Sequence, residues 1–426
     1  MKLLTELRLG ATTLAMRSMV RGLALTGDPV AKVLARRAAE DPYPLYERIR
    51  ARGAILRHPI GLHLTADYPT CRSVLRDDDF YVEPAVKHGG IAWAVQDDDE
   101  YTLAHPMEQS LLVLNPPGHT RLRKIAAPCF TPKTLGEYTP RVEALAEEFC
   151  DRVADRAEFD LVSEFASRVP IEVVRELFDI PDADRAQFLR WGSVLAGTLD
   201  GIRTLTERRA VHRAVSEMTA FLDEKIAERR HGSGTDVISR IARADGNGLR
   251  SNGRDLVALV GLLLVAGFET TINILSEASV RLMRDPALVS ALADDPGLAP
   301  AVVEETLRIE PPVQFSLRKP GRPVVVDGHP LPKDAMLVVL IAGANRDPSV
   351  FPDPARFDPL RPNSRDHLAF SAGIHYCIGA GLARLEAEAA LRTLFRRFPR
   401  LTLAGAVRYK RTRNIRGCAE VPVRRA

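Results

Sequence analysis

The stretch 370–386, FSAGIHYCIGAGLARLE, places one cysteine between two glycines immediately before a helix-like apolar pattern. Cysteine is scarce here: the 426 residues hold five, Cys71, Cys129, Cys150, Cys377 and Cys418. Cys377, flanked by Gly373 and Gly379, falls at the expected start of a helix. There it meets unpaired backbone N–H groups and the positive end of the helix dipole. Both favour thiolate. The glycines let backbone come close to the sulfur or to a flat ligand. Three readings of the thiol stay open on this stretch alone: a buried structural cysteine, a nucleophile needing a His base and a third orienting group, or an axial ligand to haem iron.

The remaining cysteines are few, odd in total with Cys377, widely spaced and without a CxxC pair. This argues against a disulfide framework or zinc knuckle and for a reducing, cytoplasmic setting. A net charge of +4 with mixed signs gives no footprint for nucleic acid. No uninterrupted apolar run reaches the ~18–20 residues that span a bilayer, so no transmembrane anchor is expected. Residues 1–30 read as an amphipathic leader in which Lys2, Arg8, Arg17 and Arg21 interrupt apolar residues. A helix docked on the domain is the plainer reading of this leader; peripheral membrane contact is the other.

Helical signals dominate the first two-thirds. Residues 44–53 and 67–77 read as short helices around a strand-like segment at 54–66. Residues 81–110, with QDDDE at 96–100, read as a long polar loop. Several helices follow from 133 to 230. A helix of about thirty residues, apolar on all sides, is expected over 255–284, in the middle of a large domain. Another spans 297–310 and stops before Pro311-Pro312. Short strands then alternate with turns over 322–348. No linker divides the chain, so residues 31–426 are expected to form one large, mainly α domain with small β sheets (α+β).

The central helix carries AGFETT at 266–271. Ala266 and Gly267 precede an acid and an alcohol, Glu269 and Thr270. A glycine inside a helix costs about 0.5–1 kcal/mol against alanine, and a buried acid costs more without a partner. The helix is expected to open there beside a ligand, with the carboxyl and hydroxyl placed to relay protons. Glu305 and Arg308 lie three apart on one helix face, a spacing that alone reads as an ordinary solvated pair.

Together these residues resemble the bacterial, actinobacterial-type soluble cytochrome P450s. FSAGIHYCIG fits the haem-binding loop of that family, AGFETT its oxygen-activation motif, and Glu305-Thr306-Leu307-Arg308 its Glu-x-x-Arg motif. Pro354-Ala355-Arg356-Phe357 matches its Pro-x-Arg-Phe element, and HTRLRK at 119–124 its propionate-binding segment. The motifs stand in the family's order from about residue 40 to the end. The resemblance implies haem b held by Cys377 as proximal thiolate, with Phe370 packed beside it. His119, Arg123, Arg318 and His375 would bind the propionates, and Glu269 and Thr270 would deliver protons to dioxygen. Glu305, Arg308 and Arg356 would form a structural network. Ser371 departs from the glycine commoner in the family.

The implied activity is a monooxygenase acting on a hydrophobic small molecule: lipid, terpenoid, steroid or polyketide. Electrons would come from a ferredoxin and an NAD(P)H-dependent reductase, and the chain would be a monomer. Arg384, Arg392, Arg396 and Arg397 are candidate ferredoxin contacts, against a solvated helix face. The substrate pocket would be lined by 81–110, the helices near 188–215, Leu262, Leu263, Ala266 and Gly267, Val313 to Leu317, and the turn at Gly417-Cys418. The alternatives are a peroxide-driven hydroxylase, a non-catalytic haem-binding or sensor protein, and a cysteine hydrolase; the last lacks a His and Asp/Asn constellation.

Overall fold

The computed structural model describes residues 18–20, 22–35, 40–58, 61–82, 109–200, 204–246 and 253–425. Most of the expected leader and residues 83–108 of the expected loop lie outside the described residues. The helix–strand–helix reading of the N-terminal region holds. Helices Tyr43–Arg50 and Tyr68–Arg76 flank β1 (Leu56–Arg57) and β2 (Leu62–Thr65). Asp67 caps the second helix by accepting from the Thr70 backbone N–H.

The central helix, Gly253–Met283, is the axis of the fold. From Leu256 to Val280 every residue is buried except Ala266, Gly267, Glu269 and Thr270. A helix apolar all round can be stable only with protein on every side, and here helices Arg168–Leu177, Arg185–Ala196, Leu205–Arg229, Ala299–Ile309 and Ala380–Arg397 supply it. By length and composition this helix is apolar enough to cross a membrane although charged residues interrupt it, yet it is mostly buried inside the protein.

The β portion is small and peripheral. The five-stranded sheet runs β1-β2-β8-β5-β3, with β3 at Phe80–Tyr81, β5 at Ser316–Pro320 and β8 at Met336–Val339. β2 and β8 are parallel, and the other pairs antiparallel. β6 (Val324–Val326) and β7 (His329–Leu331) form a hairpin closed by Asp327 and Gly328, both at positive φ, as a tight two-residue turn requires. β4 (Glu158–Asp160) pairs with β12 (Pro422–Arg425), which also pairs with β9 (Leu401–Leu403). β10 (Arg408–Tyr409) pairs with β11 (Cys418–Glu420).

Candidate active site

The loop 370–379 delivers Cys377 to the start of the C-terminal helix, Ala380–Arg397. The Ser371 N–H donates to Leu368 O at 2.8 Å, and the Cys377 N–H donates to Phe370 O at 2.9 Å. Gly373 is required twice over. Its φ is +68°, and a Cβ there would lie 2.6 Å from the Leu75 carbonyl oxygen. Gly379 differs: its φ is −87°, and an added Cβ would meet no protein atom within 4 Å. Glycine there leaves space beside the thiol rather than relieving strain. Ser371 adopts φ +63°, and its hydroxyl is buried without a partner.

Cys377 is exposed to a solvent probe, although protein lies close around it. Burial raises its thiol pKa, outweighing the Gly379 N–H, Arg123 and Arg384, which pull it down. Burial thus opposes the helix-start effect on this thiol. Coordination to a metal ion deprotonates a thiol outright.

Beside the loop lies a basic cluster in which His119 and Arg318 are buried and Arg123 and His375 half-buried. Helix Gly118–Ala126 carries His119 and Arg123, β5 carries Arg318, and the loop carries His375. The His119 and His375 rings lie 4.5 Å apart, and Nε2 of each is buried and unpartnered. The His375 pKa is pushed down to about 3, by burial first and then by the charges of Arg318 and His119. His119 is lowered by burial and by Arg123. Arg318 is 4% exposed and is lowered to about 10 by burial. Its Nη1 donates to Ser316 Oγ and Leu317 O at 2.7 and 2.8 Å. Arg123 Nη2 donates to Tyr376 O at 2.8 Å. Among the described residues no ion pair joins a carboxylate to this cluster. A buried cation such as Arg318 needs an anionic partner, and the imidazole N–H groups can donate to the same one, so the cluster fits a ligand with carboxylate groups. The open space at Gly379, the accessible sulfur and these cations together fit haem.

The opening in the central helix is also local chemistry. Thr270 Oγ1 donates to Ala266 O at 3.2 Å, and Thr271 Oγ1 to Gly267 O at 3.3 Å. Threonines that bond back one turn loosen and bend a helix. Glu269 accepts from Lys410 Nζ at 2.7 Å, a partner that sequence reasoning missed. Gly417 and Cys418, expected to line a substrate pocket, pack on Asn273 and Glu277 of the same helix, one and two turns on from Glu269.

Glu305 and Arg308 are both fully buried, joined by two 2.7 Å hydrogen bonds. The solvated-face reading of this pair is therefore corrected. The third arginine is corrected as well. Arg361 Nε, not Arg356, lies 3.3 Å from Glu305 Oε1. The Arg356 side chain is exposed, and its carbonyl accepts from Arg308 and Arg361. Next to this pair, Glu304 binds Arg384 through both carboxylate oxygens and lies 3.2 Å from His367 Nε2. Arg384 in turn stacks on Phe370, 4.5 Å from the ring centre. Burial alone would raise the Glu304 pKa, but His367 and Arg384 together bring it down to about 2.

The four arginines expected to meet a ferredoxin are engaged within the protein. Besides Arg384, Arg392 pairs with Glu143 at 3.3 Å, Arg396 with Glu147, and Arg397 with Glu147 and Asp151 at 2.9 and 2.6 Å.

Comparison with known proteins agrees with this geometry. The family model for cytochrome P450 matches residues 73–295 and 297–408. A putative cytochrome P450 140 of Mycobacterium tuberculosis is 38% identical over 425 residues, 96% of each chain. The 6-deoxyerythronolide B hydroxylase of Saccharopolyspora erythraea is 36% identical over 316 residues, 73% of this chain and 76% of its own. The ligand-free structure of Mycobacterium smegmatis CYP164A2 superposes with a TM-score of 0.83 at 34% identity, covering 93% of this chain and 99% of that one. The chain belongs to the cytochrome P450 family and is a bacterial-type, haem-binding P450 monooxygenase.

Proposed function

We propose that this monooxygenase inserts one oxygen atom from O2 into a hydrophobic small molecule of the lipid, terpenoid, steroid or polyketide kind. The observation that carries the site assignment is the set of buried His119 and Arg318 with half-buried His375, paired to no carboxylate among the described residues, around the loop of an accessible cysteine. Cys377 holds the haem by its sulfur, and Phe370 packs beside it under the Arg384 guanidinium. His119, Arg123, Arg318 and His375 neutralise the two carboxylates. Bound haem supplies oxygen activation, with thiolate donation favouring O–O cleavage.

The protein's own part is proton supply and water exclusion. The Thr270 hydroxyl, resting on the Ala266 carbonyl, can turn to donate into the opening. Glu269 exchanges protons with solvent behind it. The buried run Leu256–Val265 keeps other water out. Apolar Leu262 and Leu263 near the opening support a hydrophobic substrate. Resemblance to the 6-deoxyerythronolide B hydroxylase makes a polyketide one of the chemistries to try first.

Bacterial P450s generally take electrons from a ferredoxin and its reductase, and the same is proposed here, docking on the face beneath Cys377. Exposed ion pairs are worth under about 1 kcal/mol. An acidic partner can therefore exchange with Glu143, Glu147 and Asp151 for Arg392, Arg396 and Arg397. A monomeric chain in the cytoplasm, with residues 31–426 as one haem domain, belongs to the same reading. Five unpaired cysteines support the reducing location. The test is a library screen for ligand-induced Soret shifts. Hits confined to apolar molecules are expected; hits confined to small polar acids or sugars would contradict the substrate class.

A further inference from the structure

One polar seam in the molecule joins Glu269 to residues that have no role so far. Glu269, Asn273, Glu277 and Arg281 recur every four residues and so share one face of the central helix. The first three meet the C-terminal turn between β10 and β11. Lys410 Nζ donates to Glu269 Oε1 and to Asn273 Oδ1, both at 2.7 Å. A Cβ on Gly417 would lie 2.0 Å from Asn273 Oδ1, so only glycine lets the chain pass the amide there. The Lys410 N–H donates to Gly417 O at 2.9 Å, which closes the turn at the lysine itself. One helical turn on, Cys418 Sγ lies 3.5 Å from Glu277 Oε1. Arg281 completes the seam by pairing with Glu310.

We propose that Lys410 is a positioning residue for the distal acid. Its ammonium ties the Glu269 carboxylate to Asn273 one turn away and so fixes the acid beside Thr270, making the turn 410–417 part of the proton-delivery machinery. A lysine suits this task because a compact charge with three donors can serve two acceptors on one helix face. Both side chains of the pair are about one-fifth exposed, Lys410 at 19% and Glu269 at 21%. The pair is thus neither sealed off nor freely solvated, and protons can reach the carboxylate while its position is held. Without the ammonium, a carboxylate in the groove of an apolar helix loses its compensating charge and swings toward water. The inference rests on reading Glu269 as a proton donor.

The test compares the full-length haem-loaded wild type with Lys410→Met, Lys410→Arg, Glu269→Gln and the Lys410→Met/Glu269→Gln double variant. NADPH oxidation is followed with a surrogate ferredoxin and reductase and no added substrate, in H2O and D2O. Lys410→Met and Glu269→Gln are each expected to slow oxidation at least fivefold and to enlarge the solvent isotope effect. Lys410→Arg should return to within twofold of wild type, and the double variant should be no slower than Glu269→Gln. The infrared carboxylate band that vanishes in Glu269→Gln should shift in Lys410→Met. Lys410→Gln replaces Lys410→Met if the latter does not fold. Wild-type rates in Lys410→Met beside a slow Glu269→Gln would overturn the positioning role and leave the acid's role standing. An unshifted band, or a further fivefold loss in the double variant, would overturn it too. Wild-type rates in both single variants would overturn the proton-donor reading and this inference together.

Discussion

Arg308 grips Glu305 with two parallel 2.7 Å hydrogen bonds, and neither side chain is exposed to solvent. The other Arg308 donors reach the carbonyls of Asn345, Pro354 and Arg356 at 2.9–3.1 Å. All five guanidinium N–H groups are thus used. Removing one partner strands a buried charge, which costs about 3–5 kcal/mol. Arg308→Ala should therefore fail to load haem or melt far below wild type. Arg361→Ala should also be strongly destabilised, whereas Arg356→Ala, losing only an exposed side chain, should stay within about 0.5 kcal/mol. Thermal unfolding of the three variants checks this order.

Two glycines should respond oppositely to alanine. A Cβ on Gly192 would lie 2.0 Å from Phe268 Cζ, and overpacking of this kind costs about 1–3 kcal/mol. Gly192→Ala should lower the melting temperature with or without haem. Gly379→Ala meets no protein atom within 4 Å, so the haem-free protein should be unchanged while haem affinity drops. Melting curves and haem titration separate the two effects.

Ser371 sits at φ +63°, where a side chain is strained by about 1–2 kcal/mol, and its buried hydroxyl has no partner. Ser371→Gly should be neutral or stabilising by up to about 1 kcal/mol, and Ser371→Val clearly destabilising. Denaturant midpoints of the haem-loaded proteins check the sign.

Glu304 gives the fold an acid-sensitive joint. Its carboxyl is held down to about 2 by His367 and Arg384 against the opposing effect of burial. A depressed carboxyl stabilises the folded state above its ordinary pKa and loses that contribution as pH falls toward the lowered value. The contribution is on the order of 3 kcal/mol. Wild-type stability should therefore fall between pH ~4.5 and ~2, while Glu304→Gln starts lower and shows a flatter acid limb. Melting temperatures across that range test the slope.

The central and C-terminal helices and the thiol loop were legible because each is a local pattern, whereas His119, Arg123, Arg318 and His375, spread over the chain, were named from the family resemblance. An apolar face or a glycine beside cysteine needs no long-range information. What escaped depends on chain segments meeting late in the fold. Lys410 reaches Glu269 from 141 residues away. Arg361 displaces Arg356 at Glu305 because the turn after Pro352 aims one side chain inward and only the other's carbonyl. Glu304 meets Arg384 from 80 residues away. β4 and β12 pair strands of three and four residues from distant parts of the chain, too short to show a period of their own.

Reduction under carbon monoxide shows whether Cys377 is the proximal thiolate of a haem enzyme. The wild type should show the shifted Soret band of thiolate ligation, and Cys377→Ala should lack it. An unshifted band in the wild type, or the thiolate band persisting in Cys377→Ala, would contradict the account.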